Sequence, residues 1–243
     1  MQITEDTWVA DIATAEPATI KVFQAHHLDF CCGGRIPLVD ACERHGIDTG
    51  TLIAELRAVA NTPDDRTDWQ SAPLAELVTH IRQRYHEPLR AELPRLHQMV
   101  TKVVERHGAR LPGTLLPLKA TFERLQAEML HHMLKEESVL FPALVALEAS
   151  APADGSAEAW AWIDQPIHVM ETEHEEAGAA LARLREITHG YAPPEDACPT
   201  FRGLYYGLAE LERDMHMHVH LENNILFPRA SNLAGGRLTG LMP

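Results

Sequence analysis

Two stretches of this chain repeat one another around residue types that bind metals. His132-Met-Leu-Lys-Glu136-Glu-Ser-Val-Leu-Phe-Pro142 and His218-Val-His-Leu-Glu222-Asn-Asn-Ile-Leu-Phe-Pro228 both read His-x-x-x-Glu-x-x-(Val/Ile)-Leu-Phe-Pro. The register extends backwards, pairing Leu118 with Leu204, Leu125 with Leu211, Glu128 with Asp214 and Met129 with Met215. A fainter match aligns His86-Glu87 with His174-Glu175, Ala91 with Ala179, Leu93 with Leu181 and Arg95-Leu96 with Arg183-Leu184. Each half of this duplication therefore offers one lone His and one His-x-x-x-Glu pair.

Residues four apart lie one turn apart on the same helix face, so each pair presents an imidazole and a carboxylate side by side. Those faces are apolar. Leu125, Met129 and Val139 accompany His132; Leu211, Met215 and Ile225 accompany His218. Ile167, Met170, Ala177 and Leu181 surround His174, and Val78, Leu89 and Leu93 surround His86. A single His-x-x-x-Glu is ordinarily a hydrogen-bonded surface pair. Two copies in register on apolar faces, each with a matching lone His, bring four imidazoles and two carboxylates to one interior. Unpaired carboxylates are costly there, and metal coordination is the usual remedy. Six N/O donors related by a pseudo-two-fold suit two metal ions, with Glu136 and Glu222 available to bridge them. The set fits first-row metals such as iron, manganese or zinc, and it is richer in His than the Glu-plus-Glu-x-x-His sites of ferritin-like bundles.

The remaining histidines lack this support. His216 and His220 flank His218 but point about 200° away, which predicts solvent-side positions. His131 is one residue off register, and His107 stands far along its helix before Gly108, where a cation is favoured; it is a reserve candidate for the site. Glu128 and Asp214, one turn before the paired histidines, are either orienting partners or solvated acids.

These residues need long helices to position them. From Leu74 onward the pattern is helical throughout, in segments near Leu74–His107, Leu115–Glu148, Pro166–His189 and Pro199–Ser231. Punctuation falls at Gly108, at Ser150–Ser156 and at Gly190, which predicts an up-down-up-down four-helix bundle. Pro88 and Pro94 lie inside the first segment, so that helix bends near His86 or ends early. Residues 1–60 form a smaller helical unit with segments Val9–Ala15, Pro17–Leu28, Pro37–His45 and Asp48–Ala60. The polar stretch 61–73 reads as a linker, and residues 74–243 as the bundle. The fold class is all-α.

Composition narrows the partners. The chain has 243 residues, 21 Lys+Arg against 35 Asp+Glu and a formal net charge of −14. Such a surface repels phosphate backbones, so nucleic acid is excluded as a partner. No apolar stretch reaches the roughly 20 residues that span a bilayer. The N-terminus has no secretory pattern, and four cysteines, two of them adjacent, form no disulfide framework. A cytoplasmic, reduced setting follows. Histidine is abundant, with 15 copies.

Asp29-Phe-Cys-Cys-Gly-Gly34 stands in the smaller unit. Adjacent cysteines are poor partners for an ordinary disulfide, which favours a wider Cα separation. Cys31 and Cys32 are either small buried hydrophobes or a thiolate pair, with Gly33-Gly34 permitting close backbone approach and His26 and His27 near enough in sequence to favour ionisation. A thiolate pair on a linked domain would accept iron or NO from the bundle, or dock a damaged client, at a reach set by segment 61–73.

Together, the Cys-Cys-Gly-Gly segment and the paired His-x-x-x-Glu-x-x-x-Leu-Phe-Pro motifs resemble the repair-of-iron-centres family over nearly the full length. The four-helix part resembles the hemerythrin-like di-iron domain. The resemblance implies a non-haem di-iron protein of the bacterial cytoplasm that restores iron–sulfur clusters damaged by nitric oxide or oxidants. It implies two iron ions held by His86, His132, Glu136, His174, His218 and Glu222, with an oxo or hydroxo bridge, and a functional role for Cys31 and Cys32. Expected partners are damaged iron–sulfur proteins or scaffold proteins, with NO or O2 as small ligands. Competing readings are an enzyme that couples two NO molecules to nitrous oxide, and a carrier or sensor of O2 or NO without turnover; whether the chain is an enzyme stays open.

Overall fold

The computed structural model describes residues 1–60, 67–150 and 161–235. Among these, the chain is helical, and the one β-type contact is an isolated bridge between Trp8 and Pro37. Part of the expected linker, residues 61–66, and most of the expected turn at 150–156 lie outside the described residues.

The first 60 residues form four α-helices: α1 Val9–Ala15, α2 Ile20–Ala25, α3 Leu38–His45 and α4 Thr49–Val59. Local chemistry sets their ends. Gly46 takes a φ of 66° after α3, the left-handed cap that glycine adopts without a Cβ clash. Asp48 caps α4 by accepting from the Thr51 amide at 2.8 Å.

Four long helices follow, three of them interrupted by a wide turn. The first runs through α5 Leu74–Ile81, a π turn Arg82–His86 and α6 Glu87–His107. The second runs through α7 Pro112–Lys135, a π turn Glu136–Leu140 and α8 Phe141–Ser150. The third is α9 Asp164–Ile187, and the fourth α10 Pro199–Leu221, a π turn Glu222–Leu226 and α11 Phe227–Leu233. Helices α6, α7, α9 and α10 neighbour one another in that order around a ring, which gives the up-down-up-down bundle.

The π turns have a legible cause. The amides of Glu87, Phe141 and Phe227 bond to the carbonyls five residues back, on Arg82, Glu136 and Glu222. The next residue is proline each time: Pro88, Pro142 and Pro228. Proline has no N–H for the carbonyl four residues back, and its ring crowds that carbonyl, so a widened turn relieves both problems. The bend expected near His86 takes this form, and Pro94 stands inside α6 without ending it.

Two apolar clusters lie at the two ends of the bundle. One contains Leu74, Ile81, Leu140, Phe141, Ile167, Leu226 and Phe227. The other runs from Leu89, Leu96, Leu125 and Leu184 without a break into Val9, Phe23, Phe30, Leu38 and Leu56, so the N-terminal helices share a core with the bundle. Between the clusters lies a layer of buried polar side chains.

Candidate metal centre

That layer consists of His86, His132, Glu136, His174, His218 and Glu222, all at most 1 % exposed. The structure thus brings together all six residues that the repeat selects. They fall into two interlocked groups, His86, Glu136, His218, Glu222 and His132, Glu136, His174, Glu222, each with donor atoms within 4.8 Å of one another. Both carboxylates belong to both groups. The Nε2 atoms of His86 and His218 lie 2.9 Å apart, and those of His132 and His174 lie 3.0 Å apart. Glu222 Oε1 is 3.0 Å from His218 Nε2 and its Oε2 is 3.1 Å from His174 Nε2. Glu136 Oε2 is 3.3 Å from His132 Nε2 and 3.4 Å from His86 Nε2.

The outer nitrogens decide how the rings present themselves. His86 Nδ1 donates to Glu137 at 2.8 Å, His132 Nδ1 to Glu173 at 2.9 Å, and His174 Nδ1 to Asn223 at 2.7 Å. A ring that donates from Nδ1 carries a lone pair on Nε2 when neutral, and carboxylate or amide partners on the far nitrogen are the usual support of a metal-binding imidazole. On His86, His132 and His174 the Nε2 lone pair therefore faces inward, while the Nδ1 of His218 has no hydrogen-bond partner. Both oxygens of Glu136 and Oε2 of Glu222 accept no well-directed hydrogen bond, although imidazole nitrogens stand beside them. Buried carboxylate oxygens without hydrogen bonds, beside convergent nitrogen lone pairs, are the signature of a site completed by cations. The donor set fits metal ions on these grounds.

Electrostatics follow from the same contacts. Burial opposes charge on His132, but Glu136, Glu222 and Glu173 outweigh it and push its pKa up to about 9. Burial likewise opposes charge on His86, and the carboxylates raise it nonetheless. His218 is lowered because burial outweighs Glu222. Burial would raise Glu222, yet His218, His174 and His86 hold it well below the usual carboxylate range.

The supporting residues Glu137, Glu173 and Asn223 escaped the sequence reading, although the duplication carried a signal for them. Glu137 and Asn223 directly follow the two carboxylates Glu136 and Glu222, and they hold His86 and His174, which are themselves equivalent. Likewise Glu173 and Tyr85 directly precede the lone histidines. Glu173 holds His132, and Tyr85 stacks on His218 with ring centroids 5.7 Å apart.

The open choice at Glu128 and Asp214 resolves to surface ion pairs. Glu128 is exposed and pairs with Arg124, and Asp214 pairs with Arg84, so neither orients a site histidine. His107 sits against Cys198 and Phe201, away from the six donors. His216 and His220 are not on a solvent face. Phe30 of the N-terminal unit packs against both, with ring centroids 6.1 and 5.5 Å away, and His220 is 2 % exposed. The helical wheel located the face of α10 turned away from the bundle, and the N-terminal helices cover it.

Cys31 and Cys32 lie at that junction. Their Sγ atoms are 3.6 Å apart, and Cys32 Sγ donates to the backbone carbonyl of His174 at 3.4 Å. The Asp29 carboxylate collects the amides of Cys31, Cys32 and Gly33, which shapes the turn. His26 bonds Glu55 and His27 bonds Arg185, so neither ring supports a thiolate. A hydrogen bond shared with Cys32, burial and the charge of Asp29 push the Cys31 thiol well above the ordinary range.

Fold and site together define a hemerythrin-type cation-binding bundle with a small helical unit packed on it. The family model described as the hemerythrin HHE cation binding domain matches residues 77–230, and a domain of unknown function (DUF542), ScdA_N, matches residues 5–60. The iron-sulfur cluster repair protein YtfE of Cronobacter sakazakii is 42% identical over 230 residues, covering 95% of this chain and 97% of the relative. Its namesake in Yersinia pseudotuberculosis is 40% identical over 219 residues, covering 90% and 94%. The chain belongs to the YtfE family of iron–sulfur cluster repair proteins.

Proposed function

We propose that the six buried donors hold two iron ions and that the chain serves the repair of iron–sulfur clusters damaged by nitrosative or oxidative stress. His86 and His218 would hold one ion and His132 and His174 the other, with Glu136 and Glu222, which belong to both donor groups, available to each. The observation that carries this reading is the pair of interlocked donor groups that share both carboxylates. The relatives' name, iron-sulfur cluster repair protein, supports the repair role.

Iron, when bound, supplies a redox-active ion pair that can also be given up. The chain's own residues set how firmly it is held. Glu137, Glu173 and Asn223 fix three imidazoles with Nε2 turned inward, and the two apolar clusters exclude water. Only Glu136 and Glu222 bring negative charge into the donor set, so the other four donors are neutral when deprotonated. This donor set, with only two anionic members, would hold ferrous ions less firmly than ferric ones. Cys31 and Cys32, against the backbone of His174, serve the transfer step or the docking of a client. The clients are damaged iron–sulfur proteins or the scaffolds that rebuild them, and the setting is the cytoplasm. No helix among the described residues is long and apolar enough to cross a membrane.

The test measures iron content, optical spectrum and reactivation of an apo or nitrosylated cluster enzyme on one preparation. Two irons per chain and recovery of the enzyme are expected. A Cys31→Ser, Cys32→Ser double variant keeps both irons and loses much of the reactivation. Full activity in that variant would reduce the motif to packing, and loss of its iron would make it part of the metal site.

A further inference from the structure

Asn223 stands where the first half of the duplication has Glu137, and the two side chains share one task. Each accepts from Nδ1 of the lone histidine in its own half. Glu137 completes its bonding with Arg90 at 2.8 Å. Asn223 turns the other way: its Nδ2 donates to the carbonyl of Cys31 at 3.3 Å. That carbonyl can only accept, so it takes the amide N–H2 and leaves Oδ1 for His174, whose Nδ1 must then carry the proton. Of the two side chains, the carboxylate only accepts, whereas the amide accepts from an imidazole and donates to a carbonyl at once.

His174 is thus tied to the cysteine pair at two points. Its ring reaches the Cys31 carbonyl through Asn223, and its own carbonyl receives the Cys32 thiol at 3.4 Å. Among the described residues the first half has no counterpart, because the N-terminal unit packs against α9 and α10. From this asymmetry we propose that Asn223 is a positioning residue that couples metal occupancy at His174 to the state of the Cys31–Cys32 thiols. The coupling rests on the metal reading given above. A cation on His174 Nε2 makes Nδ1–H a stronger donor, which polarises the Asn223 amide and strengthens its bond to Cys31. The segment is then held with the Cys32 S–H directed at the His174 carbonyl, so the thiol is less available to an electrophile. Coupling between two sites is reciprocal, so capping Cys32 with a group that cannot donate loosens the metal held by His174, whereas a serine hydroxyl would keep the donor.

The test is the rate of Cys32 alkylation by iodoacetamide, read by peptide mass spectrometry, in apo protein and in protein loaded anaerobically with ferrous iron. Cys198, far from this junction beside His107, is the internal control. Loading is expected to slow Cys32 by about fivefold or more, the lower range of typical couplings between sites, and to leave Cys198 unchanged. In Asn223→Asp the carboxylate still supports His174 but no longer donates to Cys31. Compared at matched iron content, the difference at Cys32 vanishes. In the wild-type chain, prior alkylation of Cys32 speeds iron loss to a chelator. Equal Cys32 rates in apo and loaded wild type overturn the coupling alone, as does a wild-type difference that persists in Asn223→Asp, which would mean that iron shields the thiol directly. A chain that takes up no iron overturns the metal reading and the coupling together.

Discussion

His132 and His218 hold equivalent places in the duplication and point into the same buried layer, so their replacement has equivalent consequences. His132→Ala and His218→Ala are each expected to abolish most iron binding, and Glu136→Ala and Glu222→Ala to behave alike, as read by metal analysis. One carboxylate variant that kept both irons would argue against twin bridges. The outer partners matter less steeply: Glu137→Ala removes the acceptor on His86 Nδ1 and lowers iron affinity about 10–100-fold. Protons compete for the same nitrogens. Burial disfavours charge on His132, yet Glu136, Glu222 and Glu173 keep it protonated up to about pH 9 in protein without metal. Coordination requires the bare nitrogen, so uptake expels a proton below that value and apparent affinity rises with pH until about 9. Chelator competition between about pH 6 and 9, with proton release followed in parallel, checks the sign; a flat profile would contradict it.

Helices α9 and α10 are joined, close to the N-terminal unit, by an ion pair whose carboxylate is buried and whose guanidinium is half-buried. Arg185 binds Glu212 through Nε at 3.1 Å and Nη2 at 2.5 Å, and its Nη1 donates to His27 Nδ1 at 2.6 Å. The Glu212 side chain is 5% exposed. Arg185→Ala removes the charged hydrogen bonds to that carboxylate, at a cost of about 1.5–3 kcal/mol in chemical denaturation. Adding Glu212→Ala removes the remaining charge and recovers part of the loss. A single variant as stable as the wild type would show that solvent reaches Glu212. The π turns belong to this scale as well. Two of the three begin at the carboxylates Glu136 and Glu222, and the third ends at His86, so each places a donor where the helix widens.

Across the whole molecule, Phe30 is the residue that fastens the N-terminal helices to the bundle. It is fully buried, packs on Phe23, His216 and His220, and its carbonyl accepts from Asn224 at 3.0 Å. Phe30→Ala is expected to destabilise the protein by about 3–5 kcal/mol and to speed proteolysis of the first 60 residues while both irons stay bound. Limited proteolysis and metal analysis on the same sample test this; unchanged cleavage would mean that Arg185, Asn223 and Asn224 hold the unit without the aromatic anchor. His220→Ala shifts stability in the same direction and leaves iron content unchanged.

Periodicity and the internal repeat sufficed for the four-helix bundle and for its six inward donors. Helix spacing turns a His-x-x-x-Glu pair into two neighbours on one face, and a duplication makes the two halves check each other. The Glu87-Pro88 step signals the first widened turn, whereas those before Pro142 and Pro228 escaped the sequence reading. What a single-helix pattern cannot carry is what lies across from it. The wheel put His216 and His220 on the far face of α10, but only the packed chain shows that Phe30 fills that space. Sequence proximity placed His26 and His27 near the thiols, whereas the fold sends them to Glu55 and Arg185. Glu137, Glu173 and Asn223 likewise gained their roles through contacts between helices. The donors follow from spacing along a helix, which is local. Their support, and the contact between the cysteines and His174, follow from packing between segments far apart in the chain, which no local spacing records.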